Sequence, residues 1–254
     1  MVERTTRVRF TRVPTAEAGT RVNPLGSTEE VGSVWIVVPA YHEQSTIQQV
    51  VSGLRWSFPN IVVVDDCSSD LTAARARAAG ADVLRHPINL GQGASLQTGV
   101  DFALHKGAGY IVTFDADLQH RPEDVPLLLT ALRESGADFA LGSRFLGTAV
   151  NIGLSRRLLL KAAVLFTRLT TGLKITDAHN GLRAMTRRGA LALRIRQNGM
   201  AHASEILQQI ANSALPYVEV PVTVEYTSYS MAKGQRLSNS LNIVLELLTG
   251  ALQR

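Results

Sequence analysis

The sequence has a single cysteine, Cys67, among 254 residues. One cysteine can form neither an internal disulfide framework nor a cysteine-based structural zinc site. Such sparing use of cysteine fits a reducing, cytoplasmic protein.

Long apolar runs are also missing. The most apolar stretches, residues 158–166 and 241–252, are short or interrupted by Lys161 and Glu246. Both fall below the roughly 18 apolar residues that indicate a membrane-spanning helix. Residues 1–33 contain no apolar core, so we expect no signal peptide. Any membrane contact is therefore expected to be peripheral, on the inner face of the cytoplasmic membrane.

Aromatic residues are few, at 6%, and the formal net charge is +5. Without a platform of interleaved aromatic and basic residues, we expect no nucleic-acid partner. The positive charge suits smaller anions or anionic surfaces, such as nucleoside diphosphates, lipid phosphates and anionic membranes.

Three regions differ in pattern. Residues 1–33 read as an N-terminal extension, residues 34–226 as one α/β domain, and residues 227–254 as a basic flap followed by an amphipathic helix. From residue 34 to residue 141, apolar strand segments alternate with helical ones, which predicts a mostly parallel sheet with helices on both faces. After Arg144 the rhythm breaks. We predict a loop over 145–154, a helix over 155–171 and a late strand over 218–226.

The most informative stretch is the predicted strand Tyr110–Phe114 and the residues that follow it. Asp115 and Asp117 flank Ala116, and Gln119 comes two residues later. Two close carboxylates favour a compensating cation, and oxygen ligands of this kind suit Mg²⁺ or Mn²⁺. The alternative is a solvated turn, since Asp-x-Asp is a common pattern.

Similar groups follow the other predicted strands. Tyr41 and Glu43 follow the first strand, and Asp65 and Asp66 close the second. Because the carboxyl ends of parallel strands lie on one edge of a sheet, these side chains should converge with Asp115 and Asp117 on one crevice.

Six motifs in order resemble those of family-2 glycosyltransferases, over about residues 34–226. They are Val-Val-Pro-Ala-Tyr-His-Glu (37–43), Val-Asp-Asp-Cys-Ser-Ser-Asp (64–70), Asn-Leu-Gly-Gln-Gly (89–93), Asp-Ala-Asp-Leu-Gln (115–119), Gly-Ser-Arg (142–144) and Asp-Ala-His-Asn-Gly-Leu-Arg (177–183). The pattern is most similar to the branch of dolichyl- and polyprenyl-phosphate mannosyl- and glucosyltransferases. The resemblance implies a GT-A (Rossmann-like) fold, a UDP- or GDP-linked sugar donor and a divalent metal, Mg²⁺ or Mn²⁺.

The resemblance also implies roles for individual residues. Asp115, Asp117 and Gln119 are expected to hold the metal against the donor diphosphate, with Ala116 beside the donor. Arg144 is expected near phosphate groups, and Arg156 and Arg157 are expected to face an acceptor phosphate. The remaining nucleotide contacts are expected from Pro39, Tyr41, Glu43, Val64 and Asp66, with Lys233 and Arg236 on a basic flap over the diphosphate.

Asp177 leaves the acceptor open. A hydroxyl acceptor, such as a cell-surface glycan, would need this carboxylate as a general base, whereas a polyprenyl phosphate is already ionised and would need none. Departures from the family pattern at Gln92, His179-Asn180, Leu182 and residues 233–236 leave the donor sugar and acceptor undetermined. Two further alternatives are a sugar-1-phosphate nucleotidyltransferase and an inactive donor-binding scaffold. A nucleotidyltransferase would carry a Gly-rich basic loop after strand one, which this sequence lacks. The intact Asp115, Asp117 and Asp177 argue against an inactive scaffold.

Overall fold

The computed structural model describes residues 33–199 and 201–226. The N-terminal extension, the basic flap with Lys233 and Arg236, and the predicted C-terminal helix lie outside the described residues.

The first half of the domain alternates strands and helices, as predicted. The strands are β1 (Val34–Ala40), β2 (Asn60–Asp65), β3 (Asp82–Arg85) and β4 (Tyr110–Thr113), and the helices are α1 (Ile47–Arg55), α2 (Thr72–Ala78) and α3 (Gln92–His105). All four strands are parallel, in the order β3-β2-β1-β4. Their continuous apolar runs are typical of strands covered on both faces.

The second half continues the same sheet with mixed direction. After a 3-10 turn at Pro122–Asp124 come α4 (Val125–Ser135), β5 (Phe139–Val150), α5 (Leu154–Thr171), β6 (Arg183–Thr186), α6 (Arg187–Ala192), α7 (His202–Ser213) and β7 (Tyr217–Glu225). The full order is β3-β2-β1-β4-β6-β5-β7, and β6 runs antiparallel to both β4 and β5. The prediction of a mostly parallel α/β sheet is thus confirmed.

The predicted loop over 145–154 is wrong for most of its length. β5 continues to Val150, with an irregularity between Ser143 and Thr148, and its second part pairs with β7 at Thr223, Val224 and Glu225. Gly147 permits this pairing, since a Cβ there would lie 2.2 Å from the carbonyl oxygen of Val222. The segment lacks an apolar alternation because part of it, including Leu146, is exposed.

Two apolar layers cover the sheet. One contains α1 and α4 residues such as Leu54 and Leu128, and the other contains Leu96 of α3 and Ile206 of α7. Helix α5 is covered much less, with only Val164 and Thr167 buried among its 18 residues. No helix in the described ranges is long and apolar enough to cross a membrane.

Candidate active site

The ends of β1, β2 and β4 form one edge of the sheet, and each is followed by a strained residue. His42, Cys67 and Leu118 have φ values of 52°, 64° and 62°. Non-glycine residues seldom adopt this left-handed conformation, and such strain clusters at functional sites. The loops that follow these strands contact or influence one another, since His42 bonds to Ser68 and Ser69 and Glu43 adds to the electrostatic environment of Asp117. We call the space between these loops the crevice.

Asp115 lies at the centre of this crevice. Its Oδ1 accepts a hydrogen bond from Gln92 Nε2 at the start of α3 (3.1 Å), and its Oδ2 lies 3.4 Å from His120 Nε2. Gly181 packs against the same carboxylate, so closely that a Cβ at residue 181 would lie 1.8 Å from Oδ2. Two distant parts of the chain, together with the nearby His120, therefore position one carboxylate.

Asp115 and Asp117 differ in acidity. Burial and the nearby charge of Asp115 together raise the pKa of Asp117 to about 6, against the opposing effect of a hydrogen bond from the Gln119 amide. Burial also opposes ionisation of Asp115, but the hydrogen bond with His120 and the charges of His120 and Arg183 outweigh it and lower its pKa. The crevice therefore holds one carboxylate that ionises readily and one that resists ionisation.

This arrangement fits a divalent cation whose coordination is completed by the substrate. Among the described residues, no group of three or more His, Cys, Asp or Glu side chains is placed to hold a metal. Two carboxylates are nevertheless the usual protein contribution to Mg²⁺, which takes its other ligands from water and phosphate. Burial and the charge of Asp115 both raise the pKa of Asp117, and a cation held by the two carboxylates would favour their ionised forms.

The residues expected at the nucleotide differ in accessibility. Tyr41 is 43% exposed, and its ring stacks on that of His42 with centroids 4.1 Å apart. Glu43 is buried and accepts a hydrogen bond from Thr46 Oγ1 (2.8 Å). Pro39 and Val64 are register partners in β1 and β2, and both are buried. Val64 therefore cannot present its side chain to a ligand in this structure.

Asp66 is also buried, and both its carboxylate oxygens are engaged. Oδ1 accepts from the amide of Leu90 (2.9 Å) and lies 2.8 Å from His86 Nδ1, and Oδ2 accepts from the amide of Gly91 (2.7 Å). In this structure Asp66 fastens the loop before α3. Its contact with a nucleotide stays a prediction.

Arg144 and Asp177 form a buried ion pair. Asp177 Oδ2 accepts from Arg144 Nε (2.6 Å) and from the Arg144 amide (3.1 Å). Arg144 also donates to the Tyr226 hydroxyl (2.5 Å) and to the carbonyl oxygen of His179 (2.6 Å). Each of the three guanidinium nitrogens thus has a protein partner, so Arg144 organises this part of the crevice rather than standing ready for a phosphate.

Two histidines that interact electrostatically with Arg183 have lowered pKa values, which favours their neutral forms. Burial lowers the pKa of His179 to about 4, and burial likewise lowers the pKa of His202, at the start of α7. In both cases the charge of Arg183 adds to the effect. Neutral imidazoles can accept as well as donate hydrogen bonds, which suits contact with sugar hydroxyls.

Arg156 and Arg157 lie in the first turn of α5. The guanidinium of Arg156 lies over the ring of Tyr226, 5.0 Å from the ring centroid, whereas Arg157 is exposed. Arg156 therefore places positive charge beside Tyr226, the residue whose hydroxyl accepts a hydrogen bond from Arg144. The contact of Arg156 and Arg157 with an acceptor phosphate stays a prediction.

Sequence reasoning did not assign a role to three residues that contact or electrostatically influence Asp115. They are His120, His202 and Arg183. His120 and Arg183 fall within or beside the recognised motifs, so those motifs were the available signal. No local pattern marks His202, because its proximity to Asp115 depends on the packing of α7.

Comparison with known proteins supports these observations. Residues 35–192 match the model of the glycosyl transferase family 2. The chain is 29% identical over 237 residues to the UDP-N-acetylglucosamine–dolichyl-phosphate N-acetylglucosaminyltransferase of Methanococcus voltae, covering 85% of this chain and 94% of that one. It is 31% identical over 211 residues to the polyprenol monophosphomannose synthase of Mycolicibacterium smegmatis, covering 78% and 79%.

A solved structure shows the same fold. Glucosyl-3-phosphoglycerate synthase from Mycobacterium tuberculosis, in complex with Mg²⁺ and uridine diphosphate, superposes with a TM-score of 0.66 at 20% identity, covering 88% of this chain and 83% of that one. Sheet topology, the acidic crevice and the family match together lead to one conclusion: the chain belongs to the glycosyl transferase family 2, has a GT-A fold and is a glycosyltransferase.

Proposed function

We propose that the protein is an inverting, metal-dependent glycosyltransferase that moves a sugar from a nucleoside diphosphate to a polyprenyl phosphate at the cytoplasmic face of a membrane. The observation that carries the proposal is the pair Asp115 and Asp117, in which the pKa of Asp117 is raised to about 6 beside an ionised neighbour. Such a pair calls for a cation, and a donor diphosphate supplies the oxygens to complete its coordination.

In the proposed reaction, an acceptor phosphate oxygen attacks the anomeric carbon of the donor sugar. The bond from that carbon to the diphosphate oxygen breaks, and the nucleoside diphosphate leaves with both bonding electrons. Asp115 and Asp117 would hold Mg²⁺ or Mn²⁺, with Gln119 beside them, and the metal would offset the charge that develops on the leaving diphosphate. The backbone amide of Gln119 already orients Asp117, since it donates to Oδ1 (3.0 Å).

A phosphate acceptor accounts for the state of Asp177. A general base must come within hydrogen-bond reach of the proton that it accepts. Asp177 is instead buried, at 3% exposure, and it accepts hydrogen bonds from Arg144 at Oδ2 and from the His179 amide at Oδ1 (3.2 Å). An acceptor that is already ionised needs no such base. The names of the Methanococcus and Mycolicibacterium relatives, which specify dolichyl phosphate and polyprenol, support the same choice.

The membrane part of the proposal rests on α5. Four of its leucines are strongly exposed, Leu154, Leu158, Leu165 and Leu169, at 80%, 70%, 58% and 77%. They recur at helical spacing, and Arg157 and Lys161 lie on the same helix. An apolar stripe flanked by cations is typical of a helix that lies in a membrane interface.

The test is a donor and acceptor panel. Purified protein would be incubated with UDP- and GDP-linked sugars, Mn²⁺ and a short-chain polyprenyl phosphate, and products would be identified by mass spectrometry. We expect a glycosylated polyprenyl phosphate and no product after addition of a chelator. A product formed only with hydroxyl acceptors, or formed equally with chelator, would contradict the proposal.

A further inference from the structure

Arg183, the first residue of β6, has an unusual environment. It is only 5% exposed, yet no hydrogen bond or ion pair joins its side chain to any residue in the described part of the chain. Its charge is balanced only at a distance, by Asp115 and Asp177. A buried guanidinium with five unengaged N–H groups is costly to the fold unless something else accepts those hydrogen bonds.

The guanidinium lies among the charged groups of the crevice. It interacts electrostatically with Asp115 and Asp177, which lie on either side of it, and with Arg144. The register of the sheet places it beside Thr113 at the end of β4 and beside Leu141 of β5. Arg183 thus lies at the junction between the Asp115 side and the Arg144–Asp177 side of the crevice.

Two helices begin near the same point. Gln92, the first residue of α3, donates to Asp115 Oδ1 (3.1 Å), and His202, the first residue of α7, interacts electrostatically with both Asp115 and Arg183. The start of α3 contacts the segment before α7 directly, since the Gly93 amide donates to the carbonyl of Asn198 (2.8 Å). Helix N-termini carry partial positive charge, so both add to the attraction of an anion by Arg183.

We propose that Arg183 binds a phosphate group of the reactants in the crevice, and that Arg144 acts as the residue that orders the loop carrying Asp177. The inference rests on the proposed function and assigns the phosphate contact of that site to a different arginine. A planar guanidinium can engage two phosphate oxygens at once, which a lysine ammonium cannot do with the same geometry. The phosphate is that of the donor diphosphate, on the Asp115 side, or that of the acceptor, on the Asp177 side.

The test compares wild-type protein with Arg183→Lys, which keeps the charge and removes the fork. Calorimetry with Mg²⁺ would measure affinity for UDP, GDP and the matching nucleosides, and a steady-state assay would measure KM for farnesyl phosphate. We expect the loss of charge-assisted hydrogen bonds to weaken the binding of one phosphate ligand by about 10- to 100-fold. Weaker binding of the nucleoside diphosphate would show that Arg183 contacts the donor phosphate. A higher KM for farnesyl phosphate would show that it contacts the acceptor phosphate.

Arg187→Lys is the matched control, because Arg187 donates to the carbonyls of Leu104 and Ala108 at the opposite edge of the sheet. This substitution should change neither the affinity for nucleoside diphosphates nor the KM for farnesyl phosphate. If Arg183→Lys lowers the unfolding temperature but leaves the binding of both ligands unchanged, Arg183 only balances nearby negative charge and the inference is wrong. If wild-type protein binds no nucleoside diphosphate with metal, the proposed function fails and the inference with it.

A second measurement needs no variant. Wild-type protein would be treated with an arginine-specific dicarbonyl reagent, and modified residues would be mapped by mass spectrometry. We expect modification of Arg183 that is blocked by UDP or GDP with Mg²⁺, or by farnesyl phosphate, and not by nucleosides. Lack of modification, or modification that no phosphate ligand blocks, would overturn the proposal.

Discussion

The two sides of the crevice differ in how far their charges are already satisfied. On the side that we propose for the donor, around the ends of β1, β2 and β4, burial and the charge of Asp115 raise the pKa of Asp117 to about 6. On the side that we propose for the acceptor, Arg144, Asp177 and Tyr226 form a buried network with short hydrogen bonds. In this proposal ligands complete the donor side, whereas the acceptor side is a preformed support. Substitutions should therefore affect activity on the first side and stability on the second.

The strongest test of this contrast is Asp117→Ala. We expect turnover to fall by at least about 10²–10³-fold, since a group that stabilises developing charge is lost. The unfolding temperature of the metal-free protein should stay the same or rise, because removing Asp117 relieves its repulsion with Asp115. Calorimetry with a nucleoside diphosphate should show metal-dependent binding in wild-type protein and none in the variant. Asp101→Ala, an exposed carboxylate on α3, is the control and should leave both quantities unchanged.

Asp177→Asn tests the other side. Removing one partner of a buried ion pair destabilises a protein by about 3–5 kcal/mol, so the unfolding temperature should fall on the order of 10 °C. With a phosphate acceptor, kcat measured well below that temperature should change little. With a hydroxyl acceptor, loss of a general base should lower kcat by about 10²–10⁴-fold.

Glu225→Gln is the matched acid-to-amide control. Glu225 pairs with Arg121 at the surface, where an ion pair contributes about 0–1 kcal/mol. A large loss of kcat in Asp177→Asn, at a temperature where the variant is fully folded, would assign a catalytic role to the acceptor side. The contrast between an active side and a structural side would then be wrong.

The pH dependence of metal binding sharpens the description of the donor side. The pKa of Asp117 rises on folding from 3.8 to about 6, so this group favours the folded state at low pH. That contribution is fully present below about pH 4 and is lost as pH rises through 6. Protons should accordingly compete with Mn²⁺ below about pH 6. Titrations between pH 5 and 8 should show weaker metal-dependent nucleotide binding at the acidic end, and equal affinity across this range would contradict the assignment.

Asp117→Asn isolates this titration. Because the amide cannot ionise, the variant should gain stability relative to wild-type protein at pH 7.5 and lose that advantage near pH 4. Thermal unfolding of the two metal-free proteins at both pH values measures the difference.

The smallest expected effect concerns α5, beside the acceptor side. Wild-type protein should float with anionic liposomes at low salt and less so at high salt, since each cation near such a surface contributes about 1 kcal/mol. Leu158→Gln with Leu169→Gln should reduce flotation by about tenfold or more, because apolar contact with lipid is lost. Leu191→Gln, at an exposed leucine of α6, is the control. Protein that stays in solution at both salt concentrations would favour a soluble hydroxyl acceptor.

Local pattern alone predicted most of the fold. The buried strands Val34–Ala40 and Asn60–Asp65 are continuous apolar runs, and α1 shows apolar residues at helical spacing. The acidic crevice was predictable as well, because parallel strands necessarily end on one edge. Asp115 and Asp117 needed no long-range contact to be found.

Only the tertiary structure decided the rest. The Arg144–Asp177 and Arg144–Tyr226 contacts join residues 33 and 82 positions apart. The strand character of β5 beyond Ser143 depends on pairing with β7. The exposure of the α5 leucines depends on which other described segments of the chain pack against this helix. The position of Arg183 follows from β6 lying antiparallel between β4 and β5. Sequence determines which residues can carry charge or apolar surface, but the partners that satisfy them are set by chain segments distant in sequence.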